Sequence, residues 1–169
     1  MKLSENFTLQ ELTKSSTALR LRIVNKPGEL AVENLKVVCA RILEPIRANY
    51  KIPFSPASGY RSPNLNKALG SKATSQHVKG QAVDFELPGI PNFEIAFWIK
   101  QNLAFDQLIL EFHKKEIPSS GWVHVSCVSP KKNRNHRENL GLAREGGKRV
   151  TEFHRRTACN AGYEPRWGD

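Results

Sequence analysis

Residues 75–87 read SQHVKGQAVDFEL, and the interpretation of the whole chain depends on them. From Val83 to Leu87 every second residue is apolar, which predicts a strand over residues 81–87 with one buried face. Asp84 interrupts that strand on the opposite face, and His77 precedes it by seven residues in a predicted loop. A loop histidine and a strand aspartate can converge on one point. This stretch is therefore the first candidate for a functional site.

A similar pattern recurs in Trp122-Val123-His124-Val125, where His124 lies on the polar face of a predicted strand. An ionisable group that is buried without a partner costs free energy, so something polar must gather these side chains. His77, Asp84 and His124 offer two imidazoles and one carboxylate, a ligand set for catalytic zinc that leaves the fourth position to water. Zinc lowers the pKa of that water to about 7. The spacing alone is equally compatible with histidines that are only hydrogen-bonded.

The remaining patterns predict a single α+β domain. We expect a small, mainly antiparallel sheet with helices on one side and the zinc site on the other. Helical spacing predicts a long helix over residues 29–49, which Pro45 should kink or end early. Further helices are predicted over residues 62–70 and after Pro91, and strands over residues 52–58, 81–87, 105–112 and 122–128.

Composition and charge narrow the class of protein. The 169 residues are 39% hydrophobic and 25% charged, which is typical of a globular domain. The formal net charge of +10 predicts attraction to a polyanion. Half of that excess falls in residues 130–169, with ten Lys/Arg against five Asp/Glu. We therefore divide the chain into a domain over residues 1–129, including an N-terminal arm, and a basic extension over residues 130–169 packed on it or trailing from it. Three cysteines are too few for a disulfide framework.

Three motifs in order resemble a known family. They are Ser58-Gly59-Tyr60-Arg61-Ser62-Pro63, then Ser75-x-His77-x-x-Gly80-x-Ala82-x-Asp84, then Trp122-Val123-His124-Val125. Together they resemble the zinc D-alanyl-D-alanine metallopeptidases, a group that includes bacterial carboxypeptidases, dipeptidases and phage endolysins. That group shares its zinc site with the hedgehog signalling domain. Asn6-Phe7-Thr8-Leu9-Gln10-Glu11-Leu12 is similar to the family's lead-in, so the resemblance spans residues 6–128.

The resemblance implies a role for each site residue. His77, Asp84 and His124 would bind Zn²⁺, and Arg61 would meet the substrate or the oxyanion of the tetrahedral intermediate. A guanidinium suits that place because it is a fixed positive fork where negative charge develops. Ser75, Tyr60 and Trp122 are the implied substrate contacts. A surface salt bridge for Arg61 and a loop-capping hydroxyl for Ser75 are the structural alternatives.

The general base departs from the common family pattern. Many relatives carry a glutamate three residues before the last histidine, where this chain has Gly121, and others a histidine two before it, where this chain has Trp122. Hedgehog-like members place the glutamate at the end of the preceding strand. Glu111 has that position here, at the end of an apolar strand expected to pair beside the His124 strand. Glu116, in the following loop, is the second candidate.

The function implied is zinc-dependent hydrolysis of a peptide bond in the peptidoglycan stem peptide, by a phage-type cell-wall lysin. A carboxypeptidase would cut the D-Ala-D-Ala bond. An endopeptidase would cut the L-Ala-D-Glu bond or a cross-bridge. The other hypotheses are a non-catalytic zinc-bearing phage structural or binding module and, below it, a basic nucleic-acid-binding protein. No nucleic-acid-reading motif is present, so we expect no specific nucleic acid as a partner. No run of about 20 apolar residues is present, so we expect no membrane insertion. We further expect a monomer whose positive charge favours binding to the anionic cell wall.

The N-terminus has no apolar signal-peptide core. We therefore expect synthesis in the cytoplasm and action on the cell wall after release by a holin or delivery by a virion.

Overall fold

The computed structural model describes residues 1–114 and 116–128 in full, and residues 142–145 and 148–151 as backbone. The helices are α1 (Leu9–Thr13), α2 (Ser16–Arg20), α3 (Glu29–Val38), α4 (Glu44–Tyr50), α5 (Pro63–Ala68) and α6 (Asn92–Asn102), with a π-helical turn at Cys39–Leu43 and a 3₁₀ turn at Gln76–Lys79. The strands are β1 (Ala82–Phe85), β2 (Gln107–Glu111), β3 (Trp122–Ser126), β4 (Leu142–Glu145) and β5 (Lys148–Thr151). Within these ranges no helix has both the length and the apolar character that crossing a membrane requires.

The sheet that carries the site has three antiparallel strands in the order β1-β3-β2. Asp84 of β1 is paired with His124 of β3, which is paired on its other side with Ile109 of β2. Directly opposed residues share a face, so Asp84 and His124 lie together on one face of the sheet. The other face is apolar and joins the helices in one core, through Val83, Phe85, Leu108, Leu110, Val123 and Val125. The predicted α+β fold is confirmed.

The predicted long helix over residues 29–49 is present but interrupted. A π-helical turn at Cys39–Leu43 separates α3 from α4 and ends two residues before Pro45. Proline has no N–H to donate, and its ring clashes with the carbonyl four residues earlier. The wider turn is where a helix accommodates that conflict.

The predicted strand over residues 52–58 is wrong. Only Ser58 bridges β1: its carbonyl accepts from the Asp84 N–H at 2.8 Å, while the Ala57 and Ser58 N–H groups both donate to the Asp84 carbonyl. Pro53 and Pro56 supply no donor, which prevents a regular ladder along this segment.

The C-terminal expectation is tested only in part. β4 and β5, which lie within the basic extension, pair as an antiparallel hairpin. The rest of the basic extension, and with it the boundary near residue 129, lies outside the described residues.

Candidate metal centre

A short, tightly folded connection presents His77. The 3₁₀ turn at Gln76–Lys79 ends at Gly80, which has a φ of 68°. A Cβ at Gly80 would lie 2.4 Å from the Ala31 carbonyl oxygen of α3, so the position requires glycine. The neighbour that imposes the glycine is helix α3.

The side chains of His77, Asp84 and His124 converge in a buried position. His77 Nε2 lies 3.3 Å from His124 Nδ1 and 3.2 Å from Asp84 Oδ1, and His124 Nδ1 lies 2.8 Å from the same oxygen. All three residues are at least 92% buried, with exposures of 3%, 6% and 8%. Among the residues that the structure describes, they form the one cluster of three or more potential ligands.

The tautomer of His77 is set by a backbone carbonyl. His77 Nδ1 lies 2.6 Å from the Gly59 oxygen, which can only accept, so Nδ1 carries the proton and donates it. Nε2 therefore faces the other two side chains, and in neutral histidine it is the nitrogen whose lone pair can bind a metal. A carbonyl that holds the non-ligating nitrogen in this way is typical of metal-binding histidines.

The position of Gly59 depends on the N-terminal arm. The neighbouring Tyr60 N–H donates to the Leu12 carbonyl at 2.7 Å, and a Cβ at Gly59 would lie 2.4 Å from that same oxygen. Phe7 and Leu12 are at most 1% exposed and anchor the arm in the core. The arm thus fixes the loop whose carbonyl orients His77.

Asp84 is held as a carboxylate. Burial by itself raises the pKa of Asp84, but hydrogen bonds and charge from His124 and His77 outweigh burial and hold that pKa well below its usual range. Its second oxygen, Oδ2, pairs with Arg61 Nη2 at 2.5 Å. Asp84 therefore presents one oxygen to the histidines and one to the guanidinium.

The three donors fit a zinc ion. Ligand atoms about 2.0–2.1 Å from a tetrahedral zinc are roughly 3.3 Å apart. Two of the three separations, 3.3 and 3.2 Å, are close to that spacing, and the 2.8 Å separation between His124 Nδ1 and Asp84 Oδ1 has only to widen slightly. Two imidazole nitrogens and one carboxylate oxygen are also a common catalytic zinc set that leaves a fourth position open.

Arg61 is half-buried beside the site. Its side chain is 16% exposed, and its Nε donates to Ser58 Oγ at 2.8 Å. These contacts use two of the five guanidinium N–H donors. The surface-salt-bridge alternative does not describe this residue, whereas contact with a substrate stays a prediction.

Glu111 lies at the predicted end of its strand. It is paired with Trp122, two residues from the Ile109–His124 pair, so it shares the face that carries the candidate metal ligands. Its side chain is half-buried and forms no hydrogen bond or ion pair with any described residue. The predicted strand and its pairing are confirmed, and the role of Glu111 as base stays a prediction.

Glu116 has a different setting. It is exposed, in a turn closed by a bridge between Lys114 and Ile117. The nearby His113 is half-buried; burial lowers the pKa of His113, with partial opposition from the Ser120 backbone and the Glu116 charge. Glu116 therefore lies beside His113 in the loop, on no strand of the sheet.

The three implied substrate contacts differ in burial and in position relative to the site. Trp122 lies on the site face and packs its ring against Phe112 at 5.0 Å. Tyr60 is 8% exposed and belongs to the apolar core, where burial raises its pKa. Ser75 immediately precedes the 3₁₀ turn and is half-buried, with no capping hydrogen bond from its side chain. Substrate contact by each of the three stays a prediction.

A family model described as Peptidase M15 matches residues 5–126. The matched range contains the three candidate ligands, Arg61 and both candidate bases. No curated protein matches the chain.

Proposed function

The chain belongs to the peptidase M15 family of metallopeptidases, and on that basis we propose that it hydrolyses a peptide bond in the peptidoglycan stem peptide. The observation that carries the proposal is the convergence of His77, Asp84 and His124, with His77 held in the ligating tautomer by the Gly59 carbonyl. These residues would bind zinc, which supplies a polarised carbonyl and a water acidic enough to ionise near neutral pH.

The proton is handled by Glu111 in this proposal. A carboxylate on the site face of β2 accepts a proton from the attacking water and passes it to the nitrogen of the leaving amine. The absence of a described hydrogen-bond partner leaves Glu111 able to take part in both transfers. A strand position also restrains the carboxylate more than the exposed turn that holds Glu116.

Arg61 has two roles in the same reaction. Through Oδ2 it orients Asp84, and its remaining N–H donors can meet the oxygen that becomes negatively charged as the tetrahedral intermediate forms. Both roles need a planar guanidinium rather than a point charge.

Charge supports the cell wall as the place of action. A net charge of +10 attracts the protein to an anionic wall polymer and raises its local concentration at the substrate. We propose the role of a phage-type lysin, which meets the wall after release from the cytoplasm or from a virion. Which stem-peptide bond is cut depends on the loops beside the site.

The test is digestion of purified peptidoglycan, followed by mass spectrometry of the soluble fragments. We expect new stem-peptide termini with the protein as prepared, none after chelation, and recovery after zinc is restored. The new termini identify the bond: loss of D-Ala for a carboxypeptidase, or a new internal amine for an endopeptidase. No new terminus from the zinc-loaded protein, with zinc bound in stoichiometric amount, would favour the non-catalytic binding module.

A further inference from the structure

A pocket of about 430 Å³ begins at Glu86, two residues along the chain from Asp84. One wall is formed by residues 86–92, directly after β1, and the other by Pro118 and Ser119. Glu86 lies two residues beyond Asp84, which in extended chain is a distance of roughly 7 Å. The pocket therefore begins about two residues of an extended peptide from the candidate metal ligands.

The chemistry of the pocket combines apolar walls with a carboxylate. Its lining includes Leu87, Ile90 and three prolines, which offer no hydrogen-bond donor from their side chains. Glu86 is exposed and forms no ion pair or hydrogen bond with a described residue. Although the chain has a net charge of +10, no described basic side chain pairs with this carboxylate. Such a pocket suits a long aliphatic side chain that ends in a cation.

A second polar group in the pocket also lacks a donor. Asn92 lines it and is 1% exposed, and its Oδ1 has no hydrogen-bond partner among the described residues. A buried amide oxygen without a partner is costly. Glu86 is thus the accessible acceptor of this pocket, and a ligand that carries N–H groups would satisfy it.

The pocket is also preorganised. The Ile90 N–H donates to the Leu87 carbonyl at 3.2 Å across Pro88 and Gly89, whose φ of 78° is typical of a type II turn. Asn92 ties the opposite wall through its backbone N–H, which donates to Pro118, and its Nδ2, which donates to the Gly121 carbonyl at 2.9 Å. Neither wall has to fold when a ligand binds.

We propose that this pocket receives an ammonium-bearing side chain of the peptide substrate, with Glu86 as its counter-ion. The inference rests on the proposed function, because it supposes that the stem peptide is the substrate. It makes Glu86 a specificity residue for a diamino-acid side chain whose amine is free. An amine already acylated in a cross-link would lose the ion pair.

The experiment compares two synthetic stem peptides that differ only at one lysine, which is either free or Nε-acetylated. Both are given to the wild-type protein, to Glu86→Gln and to Glu5→Gln, a control with the same charge change on the exposed N-terminal arm. We expect the wild type and the control to prefer the free amine about fivefold in kcat/KM, the effect of one partly exposed ion pair. Glu86→Gln should lower the preference to about onefold.

Two results would overturn the inference: equal use of both peptides by the wild type, or a preference that persists in Glu86→Gln. The second would indicate that the acetyl group is excluded by its size. If neither peptide is cut, the proposed function fails on these substrates, and the intact peptides are compared by isothermal titration calorimetry. The same fivefold difference in affinity, lost in Glu86→Gln, then decides the inference independently of catalysis.

Discussion

Arg61 and Asp84 form an ion pair in which Nη2 lies 2.5 Å from Oδ2, on the side of the carboxylate turned away from the histidines. Because Oδ1 lies 2.8 Å from His124 Nδ1, one carboxylate links the guanidinium to the candidate metal centre. Arg61 therefore acts on the site first through the orientation of Asp84.

This pairing predicts a metal phenotype for Arg61→Lys. A lysine keeps the charge but cannot hold both Ser58 Oγ and Asp84 with a planar fork. Loss of a contact that orients a metal ligand typically costs about 10- to 100-fold in metal affinity or activity. Competition with a zinc chelator measures the affinity, and Arg20→Lys on the exposed end of α2 is the control. If Arg61→Lys and Arg20→Lys have the same zinc affinity and the same turnover, Arg61 contributes neither to metal binding nor to catalysis.

The two candidate bases are separated by a matched pair of substitutions. Glu111→Gln should lower turnover at least about 100-fold with zinc retained, because general acid–base catalysis contributes roughly 100- to 10,000-fold. Glu116→Gln should change turnover little, since its side chain is exposed in a turn. Turnover on wall fragments and zinc content are measured for both. The reverse order of effects would make the loop the catalytic element.

The backbone beside Glu111 requires a glycine at position 121. Gly121 has a φ of 70°, and a Cβ there would lie 1.8 Å from the Glu111 carbonyl oxygen. Gly70 has a φ of 69° with nothing within 4 Å of its Cβ position, so it controls for the backbone conformation alone. Gly70→Ala should cost about 1–2 kcal/mol in the free energy of unfolding, the cost of a left-handed residue with a Cβ. Gly121→Ala should cost clearly more in urea titration; equal costs would contradict the close contact.

The hydrogen bonds of Asn92 predict that this residue stabilises the loop that leads to Gly121. Its Nδ2 donates to the carbonyls of Ser120 and Gly121 at 3.2 and 2.9 Å, and Asn92 itself is only 1% exposed. Asn92→Ala leaves those carbonyls without this donor and should lower the free energy of unfolding by about 1–3 kcal/mol. Asn102→Ala removes an exposed hydrogen bond to Trp98 within α6 and should cost less. If chemical denaturation ranks the two the other way, Asn92 does not hold the loop.

Alternating patterns were sufficient to predict the strands that carry the site. Asp84 and His124 each interrupt an apolar alternation, and strand pairing places them opposite each other. The end of β2 at Glu111 follows from the same period. Helix α5 was predicted because Ser62, Pro63 and Gly70 are an N-cap, a first-turn proline and a terminating glycine.

The contacts that orient the site were not predictable in the same way. The Gly59 carbonyl acts through the backbone, and every residue has one, so no side-chain pattern marks it. Its position depends on Leu12, which lies 47 residues earlier in the sequence. The strand predicted over residues 52–58 does not form because Pro53 and Pro56 lack the N–H groups that a regular ladder needs. The Arg61–Asp84 pair likewise depends on tertiary packing rather than on spacing.

The central claim is that His77, Asp84 and His124 together hold one zinc ion. Elemental analysis of the purified protein and of Asp84→Ala tests it most directly, with circular dichroism to verify that the variant is folded. We expect about one zinc per chain in the wild type and essentially none in folded Asp84→Ala, since two histidines alone do not complete the site. A full complement of zinc in folded Asp84→Ala would contradict the assignment.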